Sequence, residues 1–216
     1  MRQTKVVVID YGIGNLLSVS RGLEYCGAQV DITNNLDKIF EASHVVLPGV
    51  GAFKVGMQEL KKRGIDEVIK KIAERKTKLL CICLGMQMLL DESEEFGITK
   101  GLGIIPGRVI SVPKIDANNN SQKIPHIGWN ELKPSGSLDK WSKSLLSSNQ
   151  IGDAAYFVHS FMAVPESNFH RIADCEYGGY QIAAVIGRDN ITGCQFHPEK
   201  SGTVGLKVLE KFCYDN

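Results

Sequence analysis

The chain is short of most features that would send a protein to a membrane, a nucleic acid or an oxidising compartment. No segment approaches the roughly 18 consecutive apolar residues of a transmembrane helix. An excess of one charge is missing too. The 25 basic and 24 acidic residues leave a formal net charge of +1, which provides no electrostatic footprint for nucleic acid or an anionic bilayer. The six cysteines (26, 81, 83, 175, 194 and 213) lack the paired C-x-x-C spacing of zinc sites and lie mostly in apolar patterns. No secreted disulfide framework is implied. The first residues run directly into an apolar strand, with neither the core nor the cleavage site of a signal peptide. A cytoplasmic protein in a reducing compartment is the expectation. No internal repeat stands out.

What remains is an average globular composition, 43% hydrophobic and 23% charged over 216 residues. That length predicts one domain spanning 1–216 with a sizeable core. Residues 6–9 are a continuous β-branched run, as in a parallel strand covered on both faces. A helix over 16–26 follows, ended by Gly27, then strands at 30–32 and 45–47 with a short helical piece at 36–41 between them. A helical tract over 55–76, interrupted at Gly64, leads to a strand at 78–82. Strand and helix alternate as in an open, largely parallel sheet with helices on both faces. Ligands of such sheets bind beyond the carboxyl ends of the strands.

From Gly101 the character changes. Short β runs at 104–105, 108–112, 127–132, 154–158, 161–164, 171–175, 182–186 and 191–195 suggest an antiparallel β elaboration plus return strands. A polar loop at 116–122 and a long connection at 134–153, with a helical turn near 141–146, carry no recognisable chemistry. The chain closes with an amphipathic helix over 203–212. Gly12 and Gly14 follow the first strand, but the third glycine and the ribose-binding acid of a dinucleotide fingerprint are missing, so a tight turn is the better account.

Three stretches carry candidate chemistry. The first is the junction of strand 78–82 with Cys83, Leu84 and Gly85, after which Met86, Leu89 and Leu90 show helical spacing. A cysteine at such a turn resembles a nucleophile elbow, and a helix N-terminus behind it favours the thiolate. Cys81 reads as a buried structural thiol. The second stretch is Gln195-Phe-His-Pro-Glu199. Pro198 pushes His197 into extended backbone, where residues two apart point to one side, so Glu199 can orient His197 as an acid/base for Cys83. The third is Pro48-Gly-Val-Gly51, whose glycines leave the backbone soft enough to aim N–H groups into a site. Val50 N–H and Leu84 N–H form the natural oxyanion pair. His44 and His170 have no such context.

Together the Cys-Leu-Gly-Met-Gln elbow and the Gln-Phe-His-Pro-Glu segment resemble the class I glutamine amidotransferases. Three further runs, Asp10-Tyr-Gly-Ile-Gly-Asn15, Pro48-Gly-Val-Gly-Ala-Phe53 and Pro125-His-Ile-Gly-Trp-Asn130, narrow the resemblance. With Tyr156-Phe-Val-His-Ser160 they are similar to the glutaminase subunits of imidazole glycerol phosphate synthases. The resemblance implies Cys83 as nucleophile, His197 as general acid/base and Glu199 as its orienter. It implies a glutamine pocket of Gly51, Gln87, His159 and Ser160, with Val50 and Leu84 as the oxyanion hole. No metal or organic cofactor is implied. The implied partner is a (β/α)8-barrel cyclase that receives the ammonia, with Asn15, His126, Trp129 and Lys200 toward it. Two departures stand out: Phe161 where a tyrosine is expected, and the length of the 134–153 connection. A related amidotransferase with another acceptor, such as one of surface-sugar synthesis, and an inactive docking subunit are the alternatives.

Overall fold

The structure, a computed structural model, describes residues 3–75 and 77–214. The first part alternates as expected: β1 (Lys5–Ile9), α1 (Leu16–Tyr25), β2 (Gln29–Thr33), α2 (Leu36–Glu41), β3 (His44–Gly49), α3 (Phe53–Lys62), α4 (Ile65–Ala73), β4 (Lys78–Cys83) and α5 (Leu84–Met88). The helical tract expected over 55–76 is two helices, divided at Gly64, whose φ of 69° no β-carbon-bearing residue adopts cheaply. Lys76, the last residue of that expectation, lies outside the described residues. The turn after β1 is closed by the Asp10 carboxylate, which accepts from the Gly12 N–H.

The second part contains β5 (Glu92–Ser93), β6 (Thr99–Lys100), β7 (Gly107–Ser111), β8 (His126–Glu131), β9 (Lys133–Pro134), α6 (Leu138–Ser142), β10 (Ala154–His159), β11 (Phe161–Pro165), β12 (Arg171–Tyr177), β13 (Tyr180–Arg188), β14 (Ile191–Cys194) and α7 (Gly202–Tyr214). Two expectations fail here. Residues 104–105 are not a strand; the N–H groups of Ile104 and Ile105 both donate to Leu89 O, which ties this segment to the end of the elbow helix. The helical turn near 141–146 begins earlier, at Leu138, with Ser137 capping it and Trp141 buried beneath it. The two-residue strands β5 and β6 carry too little pattern to read from sequence.

Eight strands form one sheet in the order β2-β1-β3-β4-β14-β13-β12-β9. β2 through β14 run parallel along that order, and β13, β12 and β9 are added antiparallel. Alternation along the parallel strands divides the core in two. Val7, Ile9, Leu79 and Cys81 pack with α3 and α4 on one face. Val6, Val8, Leu80 and Ile82 pack with α1 and α7 on the other. A two-stranded ribbon, β10-β8, and a four-stranded sheet, β11-β7-β5-β6, lie outside the main sheet. The carboxyl ends of β3, β4 and β14 therefore place residues 49–51, 83 and 195–199 on one edge, where the pocket forms.

Candidate active site

Cys83 ends β4 with φ 55° and ψ −108°, a backbone conformation that costs a non-glycine residue about 1–3 kcal/mol. The neighbours hold it there. β4 is paired on both sides, with Gly49 opposite Cys83 and Cys194 opposite Ile82. Only glycine fits two residues on, since a β-carbon at Gly85 would lie 2.1 Å from Leu47 O. The elbow expected from sequence is thus present, but its helix ends at Met88. One and a half turns supply only a weak dipole for the thiolate. Other groups must do more.

Two cysteines on one strand show the contrast. Cys81 is fully buried, and burial, reinforced by Cys194, pushes its thiol well above the ordinary range. Cys83 is 7% exposed and opens into a cavity of about 360 Å³ shared with His197. Larger clefts exist, one of about 770 Å³ beside Arg108 and Glu166, but neither that cleft nor the one beside Arg188 contains a cysteine or histidine.

His197 and Glu199 are brought together, with Nδ1 2.9 Å from Oε1 and both side chains almost wholly buried. The mechanism of the pairing differs from the expectation. His197 is extended (φ −99°, ψ 97°), but Pro198 opens a 3₁₀ turn at Pro198–Lys200, which curls Glu199 back under the ring. Ser201 Oγ donates to His197 O at 2.7 Å and locks the turn. Burial alone would lower the His197 pKa. The Cys83 sulfur and the Glu199 carboxylate outweigh it and raise the pKa to about 9. Nε2, the other ring nitrogen, is buried without a hydrogen-bond partner. His197 is therefore set to hold a proton beside the sulfur.

Val50, Leu84, Gly51, Gln87, His159 and Ser160 all line the Cys83 cavity. The Pro48 carbonyl is pinned by the Tyr11 hydroxyl at 2.8 Å, and Gly49 lies in the sheet opposite Cys83. Freedom in this segment therefore starts at Val50, which is 39% exposed, and at Gly51, with φ 88°. Gln87 donates to Phe161 O at 2.9 Å and to Gln195 Oε1 at 3.0 Å, so its Nε2 is engaged within the protein. His159 Nδ1 donates to the same carbonyl at 2.9 Å, which fixes Nε2 as the acceptor facing His126 Nδ1 at 2.9 Å. Burial lowers the His159 pKa to about 3.

Glu95 was missed in the sequence. It lines the cavity, is 9% exposed and accepts from Phe53 N–H at 2.6 Å. The only signal was the acidic run at 91–95 just beyond the elbow helix, which reads equally well as a solvated loop. Phe161, noted for its missing hydroxyl, contributes through its backbone carbonyl instead.

Of the residues expected toward a partner, Trp129 and Lys200 are exposed and Asn15 is half-buried. Trp129 stands edge-on to Tyr156, whose carbonyl accepts from His197 N–H. His126 is a correction: its side chain has no exposed surface. It is stacked between Phe157 and Tyr177 and reaches Asn130 Oδ1 at 2.7 Å, so it supports the wall of the pocket from behind. The expectation for His126 rested on the resemblance alone. An imidazole in an alternating strand reads as outward-facing unless its buried partners are known.

Residues 7–216 match the family model of the class-I glutamine amidotransferases. The chain is 47% identical over 209 residues to the imidazole glycerol phosphate synthase subunit HisH 1 of Legionella pneumophila (strain Lens), covering 97% of this chain and 98% of that protein. It is 42% identical over 209 residues to the HisH subunit of Geobacillus thermodenitrificans (strain NG80-2), covering 97% and 95%. Among solved structures, a glutamine amidotransferase superposes with a TM-score of 0.70 at 15% identity, covering 95% of this chain and 96% of that one. The PurLQS structure from Thermotoga maritima does so at 0.68 and 18%, covering 98% of each chain. An elbow cysteine, a histidine–glutamate pair at the neighbouring strand end and full-length similarity to these proteins agree: the chain belongs to the class-I glutamine amidotransferase family.

Proposed function

We infer that this chain is the glutaminase subunit of an imidazole glycerol phosphate synthase: it hydrolyses glutamine and passes the ammonia to a cyclase partner in histidine biosynthesis. The observation that carries the reading is the Cys83–His197–Glu199 arrangement within a chain 40–47% identical to HisH subunits over nearly its whole length. The whole chain acts as one glutaminase unit, in the cytoplasm. Among the described residues no helix is long and apolar enough to cross a membrane.

The steps follow from the groups around the sulfur. The Cys83 thiolate attacks the side-chain carboxamide carbon of glutamine, and the developing oxyanion is received by the N–H groups of Val50 and Leu84. His197 enters this step already protonated, because its pKa of about 9 lies above neutrality. It gives that proton from Nε2 to the departing nitrogen as the C–N bond breaks, which leaves a thioester and ammonia. Neutral His197 then takes a proton from water as the water oxygen attacks the thioester, which restores the imidazolium; the adduct collapses with Cys83 leaving as thiolate, and the remaining carboxyl proton passes to solvent as glutamate is released. Glu199 holds the ring on Nδ1 throughout and stabilises the imidazolium. Glu95 is the carboxylate of the cavity and suits the α-ammonium of glutamine, while Gln87, His159, Ser160 and Gly51 line the remaining wall.

A (β/α)8-barrel cyclase is the partner that fits this division of labour, seated over Trp129, Lys200 and Asn15. The acceptor chemistry then belongs wholly to the partner. Cys83→Ala should abolish glutamine-dependent product formation by the complex while leaving activity with added ammonium salts. Loss of both activities in an intact complex would mean that Cys83 also serves the acceptor reaction. Co-purification from the native source identifies the second chain, and a partner other than a cyclase would overturn the assignment of the pathway.

A further inference from the structure

The catalytic set described so far leaves one buried polar side chain beside the nucleophile without a role. Gln195 follows β14, two residues before His197, and has no exposed surface. Its Nε2 lies 3.7 Å from Cys83 Sγ, within donor distance of a sulfur acceptor. Its Oε1 accepts from Gln87 Nε2 at 3.0 Å, and Gln87 Nε2 also donates to Phe161 O at 2.9 Å.

The polarity of this chain is determined from its far end. A backbone carbonyl can only accept, so the Phe161 oxygen fixes which end of the Gln87 amide faces it. The second hydrogen of that same Nε2 then points at Gln195 and requires an oxygen there. With Oε1 committed to Gln87, the Gln195 amide can present only N–H to the sulfur. His159 Nδ1 takes up the other side of the Phe161 carbonyl at 2.9 Å, which holds the anchor in place. A donor aimed at a buried sulfur favours its charged form over its neutral form. This matters here because the elbow helix is short and the sulfur is almost enclosed.

We propose that Gln195 is a catalytic residue of the glutaminase reaction, its side-chain N–H holding the Cys83 sulfur as the attacking thiolate in an orientation that Gln87 and the Phe161 carbonyl enforce. This rests on the reading of Cys83 as the nucleophile. It also gives Gln87 a second task beside lining the substrate pocket. The other titratable groups around the sulfur are Tyr11 from the turn after β1, His159 and Glu95 across the cavity, and His197 backed by Glu199. All of them are retained when the amide is replaced, so a shift in Cys83 reactivity reports on the amide.

The test is the rate of iodoacetamide alkylation at Cys83 in the full-length chain, followed by peptide mass spectrometry across pH. Site-specific detection is needed because Cys26 is also partly exposed. Gln195→Met keeps the length of the side chain and removes the donor. Its alkylation midpoint should rise by about one pH unit, with the rate on the alkaline plateau unchanged. In the complex, kcat/KM for glutamine should fall about tenfold at neutral pH and recover as pH is raised. Gln195→Glu, which puts a second negative charge against the sulfur, should raise the midpoint further. If Gln195→Met does not fold, Gln87→Met carries the test, since it leaves Gln195 in place with its amide free to turn. A rise of about half the size is expected there. An unchanged midpoint in the folded variant, or a loss of activity equal at every pH, would overturn the proposal. A wild-type complex that shows the alkylation behaviour but releases no glutamate would instead remove the glutaminase reading and leave the hold of Gln195 on the sulfur standing.

Discussion

The two sides of the pocket are built on different principles. On the elbow side, Cys83, Gly49 and the segment after β14 sit at the ends of parallel strands paired on both edges. There the backbone itself is specified, down to a strained Cys83 and a Gly85 that allows no β-carbon. On the wall side, β8, β10 and β11 belong to small sheets outside the main one, and side-chain networks do the positioning. His126, His159, Asn130 and Gln87 are linked to one another or to Phe161 O. The comparison teaches that the reacting atoms are placed by the fold, whereas the surroundings that tune and gate them are placed by replaceable hydrogen bonds. Substitutions on the elbow side should change rate by orders of magnitude. Those on the wall should alter stability and regulation.

The largest effect expected is from His197→Ala, since in the proposed mechanism the same ring delivers the proton in one step and removes it in the next. Loss of a triad base can reach about 10⁶-fold in kcat. Glu199→Gln should cost less, up to about 10⁴-fold, because the carboxylate orients the ring but transfers no proton. Steady-state glutamate release in well-folded complexes checks the order. A greater loss at Glu199 than at His197 would make Glu199 the proton-transfer residue.

The Val50 peptide tests the border between the two regimes. Tyr11 pins the Pro48 carbonyl, so the peptide that carries the Val50 N–H is the first one able to rotate. An oxyanion donor is typically worth about 10²–10³ in kcat, so partner binding that aligns it should stimulate glutamine hydrolysis at least about 100-fold. Gly51→Ala strains a φ of 88° in open space and should reduce that stimulation more than partner affinity. Gly49→Ala is not an equivalent probe. Its β-carbon would sit 2.7 Å from the Tyr11 hydroxyl and 2.8 Å from Gly85 N, so it would deform the elbow as well. Equal glutamate release by the free chain, the complex and the acceptor-loaded complex would remove the case for a gated donor.

Two smaller effects concern stability. The folded-state pKa of His197, about 9, lies above the unfolded value near 6.5. Its contribution is therefore present below about pH 6.5 and lost as pH rises through about 9. Urea unfolding at pH 6 and pH 10 should show this loss in the wild type and not in His197→Gln. On the wall, His126→Leu strands His159 Nε2 in the interior without its donor, which should cost about 1–3 kcal/mol. Glutamine hydrolysis by the intact complex should fall far less than in the elbow variants.

How much of this was legible in the sequence follows the same division. The parallel half could be read because strand and helix periodicity, Gly27, Gly64 and the apolar run before Cys83 all act locally. The elbow and the His197–Glu199 pairing were legible for the same reason, although a 3₁₀ turn at Pro198 and not extended chain brings the two side chains together. The wall was not. Even on the elbow side Gln195 was visible only as part of a motif, since nothing local shows that its amide meets Gln87, 108 positions away. Glu95 looked like one more surface acid, and its contact with Phe53 N–H bridges 42 positions. His126 was placed toward the partner by the resemblance alone, and in the strand its neighbours Ile127 and Trp129 do point outward, at 52% and 56% exposure, while it points in. Periodicity shows which residues share a face, but not which face a polar ring prefers when its partners come from other strands.

The central claim is that Cys83 forms the covalent intermediate with glutamine. Intact and peptide mass spectrometry of the complex after treatment with an electrophilic glutamine analogue, 6-diazo-5-oxo-norleucine, tests it most directly. The account predicts a single adduct on Cys83, slowed by glutamine, absent in Cys83→Ser and accompanied by loss of glutamine-dependent but not ammonium-dependent activity. An adduct on any other residue, or full inactivation with Cys83 unmodified, would contradict it.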